Sequence, residues 1–381
     1  MSALFSPFAL RGVTFKNRVA VSPMSQYRAK GGYANDWHLV HLGRFALGGA
    51  GLVYAEATAV EDRGRRTHGD LGIWEDGQIE PLARVTRFIA AEGAVPGIQL
   101  GHAGRKASER RPWHGESPVN EEDTKLRDEP PWETIGPSAL PFAEPWPLPA
   151  EMSEDDIQGV IDAFGQAARR SKDAGFRIIE VYAAHGFLLH QFYSPIANQR
   201  TDRWGGSLEN RCRLSIEVAR AIRAHWPEDL PLAFRLSATD WMEGGWTPEE
   251  TVELARWLNE AGVDMIDCST GGIGGMGGRE RPSLMPLSEN FQVPFAAQVR
   301  NQTGVPSMAV GLIWDAEAAE RIIANGDADM VALARELLDH PNWPLQAMAT
   351  LGADERFNAW PPEFGWWLDK RERVCTKLGL R

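Results

Sequence analysis

The sequence predicts an α/β protein that folds as a single (β/α)8 TIM barrel, with an excursion loop after the third strand. Eight short apolar runs alternate with longer amphipathic stretches between residues 18 and 350, which is the pattern of repeated βα units. No glycine-rich GxGxxG turn follows the first run, so an open dinucleotide-binding sheet is disfavoured. A chain of 381 residues suits one barrel domain, 1–381, with room for an insertion.

Each predicted strand is rich in Val, Ile, Ala or Leu, as expected for strands of a parallel sheet that are buried on both faces. The predicted strands are 18–24, 51–60, 95–102, 177–185, 232–240, 265–271, 307–311 and 330–335. The capping side chains that mark predicted helix starts are Asp36, Ser153, Ser207, Thr247 and Asp315. The glycines that close predicted helices are Gly175, Gly262 and Gly326.

Two segments depart from this alternation. Residues 103–150 contain many prolines and three tryptophans, with too little periodicity for a strand or a long helix. Loops that follow barrel strands build the face on which enzymes of this fold keep their active sites, so we expect this insertion to lie over the barrel mouth. A packing or dimer loop is an equal alternative. The C-terminal segment, 351–381, follows the last predicted unit.

Composition disfavours several classes of protein. Apolar residues make up 43% and charged residues 24% of the chain, as in ordinary globular proteins. A formal charge of −12 gives no basic surface for nucleic acid or anionic lipid. No cationic and apolar leader opens the chain, and no stretch approaches the roughly 20 apolar residues that span a membrane, so we expect a cytoplasmic protein. Three scattered cysteines without CxxC spacing argue against disulfides, zinc and iron–sulfur clusters.

Two polar residues in otherwise apolar strands suggest a bound flavin. Arg235 is a lone cation in the strand 232–240 and needs an anionic partner, such as the pyrimidine edge of a reduced flavin. Gln99 offers a donor and an acceptor on the strand 95–102, which suits the imide edge of an isoalloxazine ring. Taken singly, each residue is more often a satisfied structural polar group.

The end of the strand 177–185 brings a phenol close to an imidazole. Tyr182 and His185 are three residues apart where the chain turns, so both side chains can lean into the barrel mouth. Such a pair can hydrogen-bond a carbonyl or nitro oxygen, which polarises the substrate so that its β-carbon accepts hydride. An ordinary polar cluster at the barrel rim is the alternative interpretation.

The loops after the seventh and eighth strands are the usual phosphate site of such barrels. Gly311 lies where backbone amides would bind the phosphate, and Arg335 adds a charged fork. His38 and His41 lie one helical turn apart, but no acidic or cysteine ligand completes a metal site. We therefore expect two structural histidines and no metal.

Five segments match motifs of one enzyme family over nearly the whole chain. They are 16–18, 22–24, 36–38, 97–105 and, the most specific, 198–211, which reads NQRTDRWGGSLENR. With these motifs the chain resembles the Old Yellow Enzyme family of FMN-dependent NAD(P)H oxidoreductases, in its thermophilic-like branch with the bacterial xenobiotic reductases. The resemblance implies non-covalent FMN, NADPH or NADH as the reductant, and a second small-molecule substrate that reoxidises the flavin.

The resemblance also assigns site residues. Those implied to contact FMN are Pro23, Met24, Ser25, Ala57, Gln99, Arg235, Gly311 and Arg335. Those implied to bind substrate or to act in catalysis are Tyr27, which approaches from the first loop, Tyr182, His185 and Phe187. A homodimer or a dimer of dimers is implied, in which Trp366 or Trp367 reaches into the neighbouring subunit's site, although aromatic residues near a terminus also simply pack.

Three positions depart from the family pattern. Ser25 stands where close relatives carry a cysteine beside the flavin, so we expect activity with a shifted flavin potential. Tyr182 stands where typical ene-reductases have histidine. Phe187 stands where this branch has the tyrosine that delivers a proton to the α-carbon. The last two changes fall at the substrate end, and a tyrosine three residues before a histidine resembles the trimethylamine dehydrogenase side of the superfamily.

Four functions follow from these observations. The first is the reduction of activated alkenes, and of nitro compounds, by NAD(P)H through FMN. The second is the oxidative direction, as in an amine dehydrogenase or N-demethylase. A flavin-free aldolase would need a Schiff-base lysine, and no predicted strand contains or ends on one. A non-catalytic flavin-binding or storage protein is the fourth, and turnover with a nicotinamide would exclude it.

Overall fold

The computed structural model of the chain describes residues 2–274, 285–286 and 288–380. Eight parallel strands form a closed barrel, because the first strand pairs with both the second and the eighth. They are β1 (Val19–Val21), β2 (Leu52–Ala59), β3 (Val95–Gly101), β4 (Ile178–Ala183), β5 (Leu232–Ser237), β6 (Met265–Ser269), β7 (Ser307–Val310) and β8 (Met330–Leu333). Each lies inside one predicted segment, so the predicted fold class is confirmed.

Most predicted strands extend two or three residues beyond the observed ladder at their C-terminal ends. Those residues include 22–24 after β1, 184–185 after β4 and 238–240 after β5. They continue the apolar runs with a mixture of apolar and polar residues, but their backbones lie outside the ladder. The predicted strand residues beyond the ladder therefore lie at the C-terminal face, where barrels of this type build their sites.

Among the residues that the structure describes, eight helices alternate with the strands around the barrel, and short helices at Leu188–Tyr193 and Arg335–Asp339 lie between them. The eight helices are α1 (Asp36–Leu47), α2 (Ile79–Ala91), α3 (Glu154–Asp173), α4 (Leu208–His225), α5 (Pro248–Glu260), α6 (Val293–Thr303), α7 (Ala316–Ala324) and α8 (Trp343–Thr350). Four predicted caps accept a backbone N–H as expected, namely Ser153, Ser207, Thr247 and Asp315. The cap of α1 is Asn35 rather than Asp36, because the Asn35 side chain accepts from the backbone of Trp37, while Asp36 pairs with Arg84.

A short hairpin covers the N-terminal end of the barrel. Its strands Phe8–Leu10 and Val13–Phe15 pair antiparallel, and Phe15 is fully buried. Gly12 at its turn donates from its backbone to the carbonyl of Asp229, before β5, at 2.8 Å. A Cβ at this glycine would lie 3.0 Å from the same oxygen, so a larger residue would push the hairpin away. This end of the barrel is therefore covered, and the mouth lies at the other end.

The excursion 103–150 is largely irregular, as predicted. It contains one short helix, Glu121–Arg127, and a two-residue ladder between Ile135–Gly136 and Ala150–Glu151. The ion pair of Arg110 with Asp123 at 2.8 Å lies within the excursion, and the pair of Glu109 with Arg66 at 2.5 Å joins the excursion to the loop after β2. The C-terminal segment carries the helix Pro362–Lys377, most of which is exposed. Across the described ranges, no helix is both long and apolar enough to cross a membrane.

The two histidines of α1 lie in structural contacts. His38 accepts from the backbone N–H of Asn35 at 3.0 Å through Nδ1, and its Nε2 lies 3.2 Å from a carboxylate oxygen of Glu56. The His41 ring packs edge-on against Phe45, with centroids 5.0 Å apart. No cluster of three or more His, Cys, Asp or Glu side chains able to hold a metal occurs in the part of the chain that the structure describes.

The substitution His41→Leu should make the stability of the folded protein less sensitive to low pH. Burial, helped by the charges of Arg44 and His38, lowers the pKa of His41 from 6.5 to about 4. The unfolded chain therefore binds an extra proton between these pH values, so this histidine costs the wild type about 2–3 kcal/mol of stability as the pH falls from 6.5 to 4. Urea unfolding of both proteins across this range should show a smaller loss in the variant. An identical loss of stability in the two proteins would mean that His41 takes up its proton equally in the folded and the unfolded chain.

Candidate active site

A cavity of about 530 Å3 opens at the C-terminal face, between the ends of β1, β5, β7 and β8. Its volume is in the range of cofactor pockets. Predicted FMN residues that line it are Pro23, Arg235, Gly311 and Arg335. Further lining residues that were not predicted include Ser22, Gln292, Trp314 and Glu336. Predicted residues in β5 and after β1, β7 and β8 therefore line one cavity.

Gly311 and Arg335 form the outer end of this cavity. Gly311 has a φ of 109°, and a Cβ there would lie 2.3 Å from Nε2 of Gln292, which itself donates to the carbonyl of Val310 at 2.8 Å. Only glycine leaves this turn free for close approach of a ligand to the backbone. Arg335 is exposed, and within the described residues no carboxylate pairs with it. An unpaired arginine beside a glycine turn suits a phosphate group.

Arg235 lies at the inner end of the cavity. Its Nη1 donates to Oγ of Ser22 at 2.8 Å, and its Nε lies 3.5 Å from a carboxylate oxygen of Asp267. The side chain is only 8% exposed, yet Nε has no hydrogen-bond partner. Ser22 and Asp267 therefore hold the guanidinium on one side, and its other side faces the cavity. An electron-rich ring edge in the cavity could accept a hydrogen bond from it.

Two buried carboxyls lie beneath Arg235 and were not among the predicted site residues. Gln99 donates to Glu180 at 2.7 Å, and the sheet register pairs Gln99 with Glu180 and Arg235 with Asp267. Burial raises the pKa of both carboxyls, and the charge of Asp267 raises that of Glu180 further, while Arg235 opposes the shift. The two groups therefore favour sharing a proton over ionising together.

The other predicted flavin contacts lie at neighbouring strand ends. A β-bulge between Ala55 and Ala57 in β2 places Ala57 opposite Gln99 on β3. Ala57 is half-buried, so its small side chain leaves space above it. Met24 and Ser25, which directly follow Pro23, are half-buried as well. The eight residues implied to contact FMN thus lie in the C-terminal halves of strands or in the segments that follow them.

Tyr182 and His185 are neighbours at the barrel mouth. The Tyr182 hydroxyl is 3.0 Å from Nδ1 of His185, and Nε2 of His185 is 2.5 Å from Oγ of Ser269. His185 has a φ of 55°, an unfavourable value for a residue other than glycine and a common mark of functional sites. Burial, with the charge of Arg235, lowers the pKa of His185 well below its usual value, so the imidazole is neutral. Burial also raises the pKa of Tyr182.

An apolar wall borders this pair. Phe187 stacks on Tyr182 with ring centroids 4.2 Å apart, and it packs with Ala103, Ala107 and Trp132. Ala103, Ala107 and Trp132 of the excursion thus border Phe187. The indole of Trp132 donates to the carbonyl of Arg63 at 3.0 Å, which holds the Trp132 side chain in this wall.

Tyr27 lies farther out, on the rim. It has a φ of 57°, its hydroxyl accepts from Arg66 at 3.3 Å, and its ring packs edge-on against Trp113. Burial raises the pKa of Tyr27 to about 12, so the phenol stays protonated. Together with Trp37, Val40 and Trp113, it lines a wide outer groove of about 920 Å3.

The predicted tryptophans of the C-terminal segment are not part of this site within one chain. Trp366 and Trp367 are 60% and 62% exposed on the helix Pro362–Lys377. Their rings meet edge-on at 4.5 Å, and the ammonium of Lys370 lies 5.2 and 5.3 Å from the two ring centres. A single chain therefore leaves both available to another molecule.

The fold and this site define a class of protein, the flavin-dependent oxidoreductases built on a (β/α)8 barrel. Three features fit FMN: the buried guanidinium of Arg235, which lines the cavity, the open turn at Gly311, and the charge of Arg335, with which no carboxylate pairs among the described residues. The first suits the ring and the other two suit the phosphate.

Comparisons with known proteins agree. The profile of the NADH:flavin oxidoreductase / NADH oxidase family matches residues 3–353. An NADPH dehydrogenase from Geobacillus thermodenitrificans is 41% identical over 353 residues, covering 92% of this chain and 95% of its own. Morphinone reductase has the same fold with a TM-score of 0.74 at 26% identity, covering 93% and 90%. Histamine dehydrogenase from Rhizobium sp. 4-9 gives 0.74 at 27%, but this chain covers only 48% of it.

The chain belongs to the NADH:flavin oxidoreductase / NADH oxidase family, which confirms the resemblance to Old Yellow Enzyme. It is an FMN-dependent enzyme that uses NAD(P)H.

Proposed function

We propose that this enzyme uses NAD(P)H to reduce activated C=C bonds in α,β-unsaturated carbonyl compounds, with nitro compounds as a second class of oxidant. FMN would be held by the predicted residues from Pro23 to Arg335, and when bound it supplies the centre through which a hydride passes from the nicotinamide to the second substrate. The two substrates would react in turn, in a ping-pong sequence. Similarity to NADPH dehydrogenase and morphinone reductase supports this direction.

The observation that carries the proposal is the hydrogen-bonded chain of Ser269, His185 and Tyr182. Because His185 is neutral, one ring nitrogen accepts while the other donates. If Ser269 donates to Nε2, then Nδ1 donates to the Tyr182 oxygen, which leaves the phenol hydrogen for a ligand. Tyr182 then donates to the carbonyl oxygen of an enone, and each bond in the chain strengthens the next. Such polarisation makes the β-carbon a better hydride acceptor.

Steady-state turnover with product analysis tests this function. Purified enzyme, NADPH and a cyclic enone are mixed without oxygen, and NADPH loss is compared with the saturated ketone formed. We expect one ketone per NADPH consumed and parallel lines when both substrates are varied. NADPH loss without saturated ketone would refute alkene reduction.

A second function is favoured by one pair of residues. Tyr182 and Phe187 replace the two residues that the alkene-reducing branch carries, and histamine dehydrogenase is structurally similar over 92% of this chain. An amine dehydrogenase or N-demethylase would take hydride from the substrate, and the neutral His185 would not repel its cation. An N-methylated amine should then bleach the oxidised flavin anaerobically. If several such amines leave it unchanged, this alternative fails.

We also propose a homodimer or a dimer of dimers, in which Trp366 and Trp367 enter the outer groove of a second copy. The groove offers apolar Trp37, Val40 and Trp113, all exposed in one chain. Small-molecule substrates are the other proposed partners. Nucleic acid is not proposed as a partner, because the chain carries a formal charge of −12. A cytoplasmic location stays a prediction.

Trp366→Ser/Trp367→Ser should weaken this association, because it removes two large apolar rings from the interface. Sedimentation of wild type and variant across a dilution series measures the effect. We expect the wild-type dimer to persist at dilutions where the variant is monomeric. Equal dissociation of the two proteins would place the interface elsewhere.

A further inference from the structure

Lys106 lies at the barrel mouth beside Tyr182 and His185, and the carbonyl polarisation proposed for that pair does not use it. It ends the turn Gly104–Lys106 that follows β3. Its ammonium donates to the carbonyl of His185 at 2.9 Å, and it lies 4.5 Å from the ring centre of Phe142 and 6.0 Å from that of Phe187. Phe187 in turn stacks on Tyr182, so the ammonium is one ring away from the proposed carbonyl site.

Reduction of an alkene needs a proton as well as a hydride, and the other groups of the mouth supply it poorly. Burial raises the pKa of Tyr182 above its usual value and that of Tyr27 to about 12, so neither phenol is an effective acid near neutral pH. His185 is neutral, and both of its ring nitrogens are engaged. Phe187 carries no transferable proton.

The surroundings of Lys106 favour proton release. Burial lowers its pKa from 10.5 to about 7. The charged groups that face it are Arg66 and Arg105, which lower the pKa further, and Glu109 and Glu116, which oppose them. Among the described residues no carboxylate pairs with Lys106, because Glu109 is bound by Arg66. An acid whose pKa lies near the working pH combines sufficient protonation with ready transfer.

We propose that Lys106 donates the proton that the α-carbon takes up when the β-carbon has received hydride. The proposal rests on the proposed alkene reduction. One N–H bond of the ammonium breaks and one C–H bond forms at the α-carbon, so the alkene gains a hydride and a proton while NAD(P)H is oxidised. The neutral amine regains its proton from water. The flexible stem of lysine lets the nitrogen move across the edge of Phe187 for this transfer.

Lys106→Met and Lys106→Arg test the assignment together. Arginine keeps a positive charge but does not release a proton near neutral pH, so it separates proton donation from charge. We expect both variants to slow reoxidation of the NADPH-reduced enzyme by an enone about 100-fold, the usual contribution of a general acid. Reoxidation by oxygen, which protonates no carbon, should fall far less. Lys16→Met is the matched control, because Lys16 is another partly desolvated lysine but lies at the opposite end of the barrel.

Two further readouts do not depend on how large the decrease in rate is. The wild-type rate with the enone should fall above about pH 7, where Lys106 loses its proton, and this limb should vanish in both variants. With an enone that carries an α-methyl group, the wild type should form one configuration at the α-carbon, while the variants form a mixture through protonation by water.

Each outcome decides between the possibilities. A wild-type rate in Lys106→Arg would show that only the charge matters, and an unchanged pH limb and product configuration in Lys106→Met would exclude lysine as the donor. Either result would overturn the proposal while leaving alkene reduction intact. If no enone reoxidises the reduced wild type, the proposed function and this role both fail.

Discussion

Arg235→Ala is expected to weaken FMN binding about 10–100-fold and to lower the flavin reduction potential. The change removes the charged donor at the inner end of the cavity, and a hydrogen bond to a charged group contributes about 1.5–3 kcal/mol. It also removes the cation that would face the negative charge of the reduced ring. Fluorescence titration of the apoprotein with FMN measures the affinity, and equilibration with a reference dye measures the potential.

The same variant should be less stable, by about 3 kcal/mol at pH 8, because Glu180 and Asp267 lose their buried counter-ion. Their pKa values are raised in the folded protein, so protonation relieves this cost and the deficit should shrink as the pH falls. Arg235→Lys, which keeps the charge, should recover stability better than FMN affinity. Full FMN occupancy with an unchanged potential in Arg235→Ala would refute the proposed contact.

Tyr182→Phe is expected to slow reoxidation of the reduced enzyme by an enone about 100-fold. The phenol is the last donor of the chain from Ser269 through His185, and removal of one such donor at a developing oxyanion costs about this factor. Reduction by NADPH should change much less, because no substrate carbonyl is polarised in that step. Stopped-flow absorbance measures both steps separately.

Tyr33→Phe is the matched control, since it removes an exposed phenol that bonds only Glu75 among the contacts described. Ser269→Ala should slow the same step by a smaller factor, because it leaves the phenol in place but releases the imidazole. If Tyr182→Phe slows both steps equally, the tyrosine orients the cofactor instead of polarising the substrate.

The barrel could be predicted from the sequence because its strands are continuous apolar runs that alternate with capped helices. A lone charge inside such a run, Arg235, also identified the inner end of the cavity. The same signal was present for Glu180, between Ile179 and Val181, and for Asp267, between Ile266 and Cys268, but a buried carboxyl without its arginine suggests no ligand. The register of neighbouring strands places Asp267 beside Arg235, and side-chain contacts bring Glu180, which is opposite Ala233, to the same two groups.

Other parts of the site depend on contacts that the sequence does not encode locally. Lys106 follows a recognised motif, but its position depends on Phe142, far along the irregular excursion, and on the carbonyl of His185. The bond between His185 and Ser269 joins the ends of β4 and β6. Resemblance alone predicts that Trp366 or Trp367 reaches into a neighbouring subunit's site, and one chain leaves both tryptophans exposed.

A single-turnover comparison under anaerobic conditions decides the direction of the reaction. NADPH-reduced enzyme is mixed with an enone, and oxidised enzyme is mixed separately with an N-methylated amine, while the visible absorbance band of the flavin is recorded. For an alkene reductase we expect rapid recovery of the band with the enone and no bleaching by the amine. Bleaching by the amine, together with no recovery by the enone, would contradict the proposed reductive function and establish the oxidative direction.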